Sequence, residues 1–127
     1  MKKVRIAIGA AALAPAALAL IPAVANAATR EVTCGTAPNH WTEFDDGGSI
    51  TCFGYNGGTW SAGPGVALWS KECGGNNYGW YSIPGSGRYP FHEGTTFAAL
   101  PGTDGGIYTT GVSKVHISGW AGTDTCR

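Results

Sequence analysis

The chain has 127 residues, 8 Lys+Arg, 8 Asp+Glu and a formal net charge of zero. That length suits one ordinary domain rather than two, and the absence of a basic excess argues against a nucleic-acid binder. Charged residues make up 13%, well below the roughly 25% of typical globular domains, which argues against a charge-driven disordered chain.

The first element is an address. Lys2, Lys3 and Arg5 form a basic head, an apolar, alanine-rich stretch follows over 6–24, and Ala25-Asn26-Ala27 gives a small-x-small cleavage signature. This is the three-part plan of a secretory signal peptide over 1–27. A membrane anchor is the rival reading, but Pro15, Pro22 and the cleavage site disfavour it. Ala23-Val24-Ala25 is a second cleavage option, so the mature start is Ala28 or Asn26; Ala28 is used below. Without the leader, 28–127 keeps five cations and all eight anions, a net charge of −3. The mature part is therefore mildly acidic, which further disfavours DNA and anionic membrane.

The remainder, 28–127, reads as a single all-β domain. Gly and Pro recur every few residues, and no ten-residue run has helical periodicity. Strand-like runs fall at 40–44, 49–53, 66–70, 78–83, 88–91 and 112–118. Asp45-Asp46-Gly47-Gly48 between the first two predicts a hairpin turn. In the last run Val115 and Ile117 face one way, and Lys114, His116 and Ser118 the other. Many short strands with frequent turns suggest a sandwich or barrel. A faint internal echo relates 52–58 to 78–85, as two face-to-face Greek keys would produce.

All 14 aromatics lie in 28–127, where Val, Ile and Leu number only ten. Aromatics, at about 150–250 Å² each, must supply much of the core. Cys34, Cys52, Cys73 and Cys126 have no C-x₂-C spacing and no zinc-like relation to His40, His92 or His116. In an exported chain they read as two disulfides, with three connectivities open, each worth roughly 3–4 kcal/mol.

No G-x-S-x-G or H-E-x-x-H motif is present, and no catalytic or metal-binding residue is assigned. His116 reads as an exposed strand residue, His92 and Glu93 as solvated, and Asp45 and Asp46 as hairpin residues. Asn76 and Asn77 read as turn residues held by local side-chain hydrogen bonds. The five tryptophans are the better functional lead. Three are expected in the core; Trp60, among glycines, and Trp120, outside the last strand, are expected to be exposed ligand contacts.

Two segments carry a family resemblance. Thr51-Cys52-Phe53-Gly54-Tyr55-Asn56-Gly57-Gly58 resembles the "C-F-A-N-A-G" segment of small secreted actinobacterial βγ-crystallin proteins, and Gly74-Gly75-Asn76-Asn77-Tyr78-Gly79 is similar to their "S-G-N-N-x-G" segment. Val32-Thr33-Cys34 and 112–117 fall where that family has strands. Gly54 and Tyr55 depart from its usual Ala and Asn. The resemblance implies a βγ-crystallin-like sandwich of two Greek-key motifs, stapled by Cys34–Cys52 and Cys73–Cys126. The family's calcium signature aligns with Thr109-Thr110-Gly111-Val112-Ser113-Lys114, where threonines and a cation replace oxygen-rich ligands, so no calcium or other cofactor is expected.

The killer-toxin-like branch of that family inhibits yeasts and filamentous fungi. The resemblance thus implies a secreted, extracellular, non-enzymatic antifungal effector touching a cell-surface or cell-wall component. Two alternatives stand beside it. One is a protease inhibitor using Gly85-Ser86-Gly87-Arg88 or the loop 101–106. The other is a carbohydrate-binding module using exposed tryptophans. A monomer is expected, without nucleic acid and without a membrane span after cleavage.

Overall fold

Among the described residues, the longer strands fall where aromatic or β-branched residues alternate with polar or small ones. The computed structural model describes 28–126 apart from 36, 37, 39 and 123; the expected signal peptide, 1–27, lies outside the described residues. Within them, eleven strands run in the order β1 (Arg30–Val32), β2 (Thr42–Asp45), β3 (Ile50–Gly54), β4 (Trp60–Ser61), β5 (Ala67–Trp69), β6 (Lys71–Cys73), β7 (Asn77–Ile83), β8 (Gly87–Pro90), β9 (Ala98–Ala99), β10 (Thr110–Val112) and β11 (Lys114–Trp120). They form a five-stranded sheet β1-β3-β2-β6-β9, a four-stranded sheet β4-β11-β7-β8 and a two-stranded sheet β10-β5. Each of these pairings is antiparallel. The chain is thus all-β, built from several antiparallel sheets.

The 45–48 turn joins β2 to β3. The Asp46 N–H donates to the Ser49 carbonyl at 3.2 Å. Asp45 Oδ1 accepts from Gly47 N–H at 2.7 Å, and Asp46 Oδ1 accepts from Gly48 and Ser49 at 2.8 Å each. Both carboxylates therefore serve their own turn.

Phe44, Phe53, Trp69, Tyr81, Ile83, Phe91, Leu100, Val112, Val115 and Ile117 form one core. Half of these are aromatic, so aromatics do replace the scarce aliphatics. Phe44 of β2 meets Tyr81 of β7 edge to face at 5.7 Å and lies 4.4 Å from Trp69. Contacts of this geometry add about 0.5–1.5 kcal/mol each beyond burial. The first joins the inner faces of the two larger sheets, and the second ties the five-stranded sheet to β5 of the two-stranded one.

The run 112–118, expected to be one strand, is two. Ser113 donates to the Ser82 carbonyl and accepts from Ala62 N–H, each at 2.9 Å. On one side of it β10 pairs with β5; on the other, β11 pairs with β4 and β7. The chain changes sheets there because the backbone groups of Ser113 bond outside either ladder. Further along β11 the register slips between Ile117 and Gly119. The backbone of Ile117 is taken by the N-terminal segment: its N–H donates to Thr29 Oγ1 at 3.0 Å, and its carbonyl accepts from Gly57 at 2.9 Å.

Gly79 makes the β7–β11 pairing possible. A Cβ there would lie 1.9 Å from the His116 carbonyl oxygen and 2.8 Å from the Phe91 ring. Any side chain would push the central pair of the four-stranded sheet apart.

Candidate functional site

The cysteines form two bonds, Cys34–Cys52 with an S–S distance of 2.08 Å and Cys73–Cys126 with one of 2.10 Å. The first ties the segment after β1 to β3; the second ties the end of β6 to residue 126. Two disulfides are compatible with an extracellular setting.

The tryptophans depart from expectation. Only Trp69 is fully buried, at 5% exposure; Trp41, Trp60 and Trp80 are half-buried. Trp60 is not an exposed contact. It lies on β4 opposite Val115 and packs on Phe53 and Trp69, with ring centroids 4.9 and 6.0 Å away. Its glycine neighbours suggest a loop, but pairing with β11 turns the indole inward. Trp120 is 44% exposed, and one of its faces is stacked on His40 at 3.6 Å. The two proposed contact residues therefore do not share a surface.

Beneath Trp120 lies a buried polar chain. His40 Nδ1–H donates to Asn77 Oδ1 at 3.0 Å, Asn77 Nδ2 donates to Thr42 Oγ1 at 2.9 Å, and Thr42 donates to the Gly74 carbonyl. Burial lowers the His40 pKa, and the Asn77 contact opposes this. Asn77 is thus not a turn residue with local bonds. It is fully buried and links β7 to β2. Gly75, Asn76, Tyr78, Glu93 and Ala121 line a small open cleft beside it. His92 and Glu93 are solvent-exposed.

Glu72 is a buried carboxylate, 3% exposed on β6. Both of its oxygens lie 3.1 Å from the His92 N–H. Burial raises its pKa from 4.5 to about 7, partly opposed by that bond. Tyr81 is shifted upward as well, by burial first and then by Glu72.

The arrangement most suited to contact is the outer face of the four-stranded sheet. Strand alternation buries Asn77, Tyr81 and Ile83 of β7 and turns Tyr78, Trp80 and Ser82 outward. On β11 the same alternation buries Val115 and Ile117 and turns Lys114 and His116 outward. His116 and Trp80 are register partners, with rings stacked at 5.3 Å and 26°. From β8, the Arg88 guanidinium lies 3.9 Å from the Trp80 centroid. Trp80 is thus flanked by His116 from one neighbouring strand and Arg88 from the other. His116, expected to be simply exposed, is half-buried by this stack and also contacts the Gly58 carbonyl. Ser82 sits between Lys114 and Arg88 in register.

Sequence reasoning did not single out Trp80 among the tryptophans, and it placed Arg88 only in the Gly85–Arg88 loop of the inhibitor alternative. The signal was present in part, because alternation over 78–83 and 114–118 gives each outward row. That β11 and β8 flank β7 is not readable from spacing. Among the described residues no group of three or more His, Cys, Asp or Glu side chains is placed to hold a metal.

No family model, curated protein or solved structure matches this chain.

Proposed function

We propose that this chain is an exported, disulfide-stapled effector that acts by contact with a target cell surface or wall and without catalysis. The observation that carries the reading is the outer face of β4-β11-β7-β8, where Trp80 is held between Arg88 and His116 beside the exposed Tyr78. Planar and cationic groups fixed on a rigid sheet bind with little loss of side-chain freedom.

The βγ-crystallin-like, killer-toxin-like assignment belongs to this proposal, and so does the description as two Greek keys. Support comes from the two sequence motifs and from the way the halves interlock. β4 joins a sheet otherwise made of β7, β8 and β11, while β6 and β9 extend the sheet of β1, β2 and β3 beyond β2. The export leader and the disulfides agree with action outside the producing cell.

Growth of yeasts and filamentous fungi with purified, oxidised protein tests the reading. Inhibition is expected, with Trp80→Ala losing most of it. Unaffected growth across several fungi at high micromolar dose overturns it.

The inhibitor reading keeps one favourable observation. The exposed 101–106 loop is braced by Thr103, whose hydroxyl lies 2.7 Å from the Ser70 carbonyl and 2.8 Å from that of Leu100. Undiminished activity across a panel of metallo- and serine proteases removes that reading. The Gly85–Arg88 segment suits it less, since the Arg88 side chain is laid on Trp80.

A further inference from the structure

Charge is divided unevenly between the two larger sheets. Glu31, Glu43, Asp45 and Glu72 all lie on the five-stranded sheet, with Arg30 and Lys71. The four-stranded sheet has no Asp or Glu in any of its strands, yet it carries Arg88, Lys114 and His116. Lys71 is 3.7 Å from Asp45, whereas among the described residues neither Arg88 nor Lys114 has a carboxylate partner. A domain of net charge −3 thus presents one face without an acid in its strands; Glu93 lines the cleft at Tyr78 rather than the Arg88–Ser82–Lys114 row.

The cations on that face are not arranged at random. Arg88 and Lys114 are the two register partners of Ser82, so their Cα atoms lie about two strand spacings, roughly 10 Å, apart. The Arg88 guanidinium rests on the indole of Trp80, which fixes its plane. A planar fork held in advance favours bidentate binding of carboxylate or phosphate oxygens. Tyr78 follows two residues before Trp80 on the same face and is 48% exposed. It is the aromatic surface there that is open to a sugar ring.

Resting on the contact reading above, we propose that this face binds an anionic glycan, a sugar chain carrying carboxylate or phosphate groups. Arg88 and Lys114 receive the anionic group across Ser82, and Tyr78 packs against an adjoining ring. Single-stranded nucleic acid fits less well. Trp80 has one neighbour against its ring from each flanking strand and offers no free face to a base, and two cations supply little phosphate neutralisation.

Native gel retardation of the oxidised full domain tests the inference, with polygalacturonate, phosphorylated mannan, neutral laminarin and poly(dT) as probes. Retardation by polygalacturonate or by phosphomannan is expected, and which of the two acts identifies the anion. Laminarin should have little effect. Arg88→Gln should weaken binding about tenfold, as loss of a charge-assisted bond implies, and Lys114→Gln should weaken it less. Trp80→Leu, which keeps both charges, should approach Arg88→Gln if the guanidinium acts as a positioned fork. All three side chains face outward, so unchanged unfolding midpoints verify the fold.

Equal retardation by laminarin, stronger retardation by poly(dT), no retardation by either anionic glycan, or full binding by Arg88→Gln and Lys114→Gln would each overturn the proposal. Fungal inhibition without glycan binding rejects this inference and leaves the contact reading standing. Glycan binding without inhibition does the reverse for the antifungal part.

Discussion

Glu72 is the residue with the clearest consequence for stability. Its folded pKa, about 7, lies above its ordinary 4.5, so between those values the folded chain holds a proton that the unfolded chain has released. Its contribution is therefore most favourable below pH 4.5 and is lost as pH rises to about 7. The full span is about 3 kcal/mol at most. Asp46 acts in the opposite sense and at lower pH, because turn N–H groups hold its pKa down. Urea unfolding at about pH 5 and about pH 8 should show the wild type losing stability at the higher pH relative to Glu72→Gln, because His40, whose pKa burial lowers, contributes in the opposite sense equally in both proteins. An unchanged pH dependence in the variant would show that another group is responsible. Little of this was legible beforehand. Lys71-Glu72-Cys73 puts two charges in three residues and does not look like an inner strand, yet β2 and β9 enclose it. Tyr55 is a related case: it alone among the described non-glycine residues has positive φ, 65°, and Arg30 lies 4.6 Å from its ring centroid. Asn is better suited than tyrosine to left-handed backbone, so nothing in the residue type announces this conformation.

At the scale of the element, the β7–β11 pair carries both the core and the outer face. Gly79→Ala should cost about 3 kcal/mol or more, since the added carbon meets backbone, which cannot swing aside as a side chain could. Thermal unfolding reads this directly, and a loss under about 1 kcal/mol would mean that the sheet has room to yield. The alternation of 114–118 and the turn at 45–48 were readable because each rests on local chemistry: a period of two in one, and Asp-Gly turn bonding in the other. The division at Ser113 was not, because it depends on two distant partners, Ala62 and Ser82. Trp60 was misjudged for the same reason. Its flanking glycines describe its neighbours in sequence, whereas its burial comes from Phe53 and Trp69.

At the scale of the molecule, the two bridges close spans of 18 and 53 positions. On the chain-entropy account they contribute about 3 and about 4 kcal/mol respectively. Replacing Cys73 and Cys126 with Ala should therefore lower urea stability more than replacing Cys34 and Cys52. The opposite order would point to packing around Cys52 as the larger effect. The aromatic share of the core could be inferred from composition alone, because ten aliphatic residues cannot fill it. The division of charge between sheets could not, since it exists only once strand order is known.

The bonds that Ile117 makes with Thr29 and Gly57 also bear on the timing of folding. Thr29 and Ile117 stand 88 positions apart, and the β1 segment that Thr29 precedes has its strand partner in β3. Contacts this distant must be reached by diffusion of a long open chain, which makes folding slow compared with local pairing. Residues near 29 have to wait until those near 117 are free to meet them. The native bonds of Thr29 therefore form only once the chain through Ile117 is present.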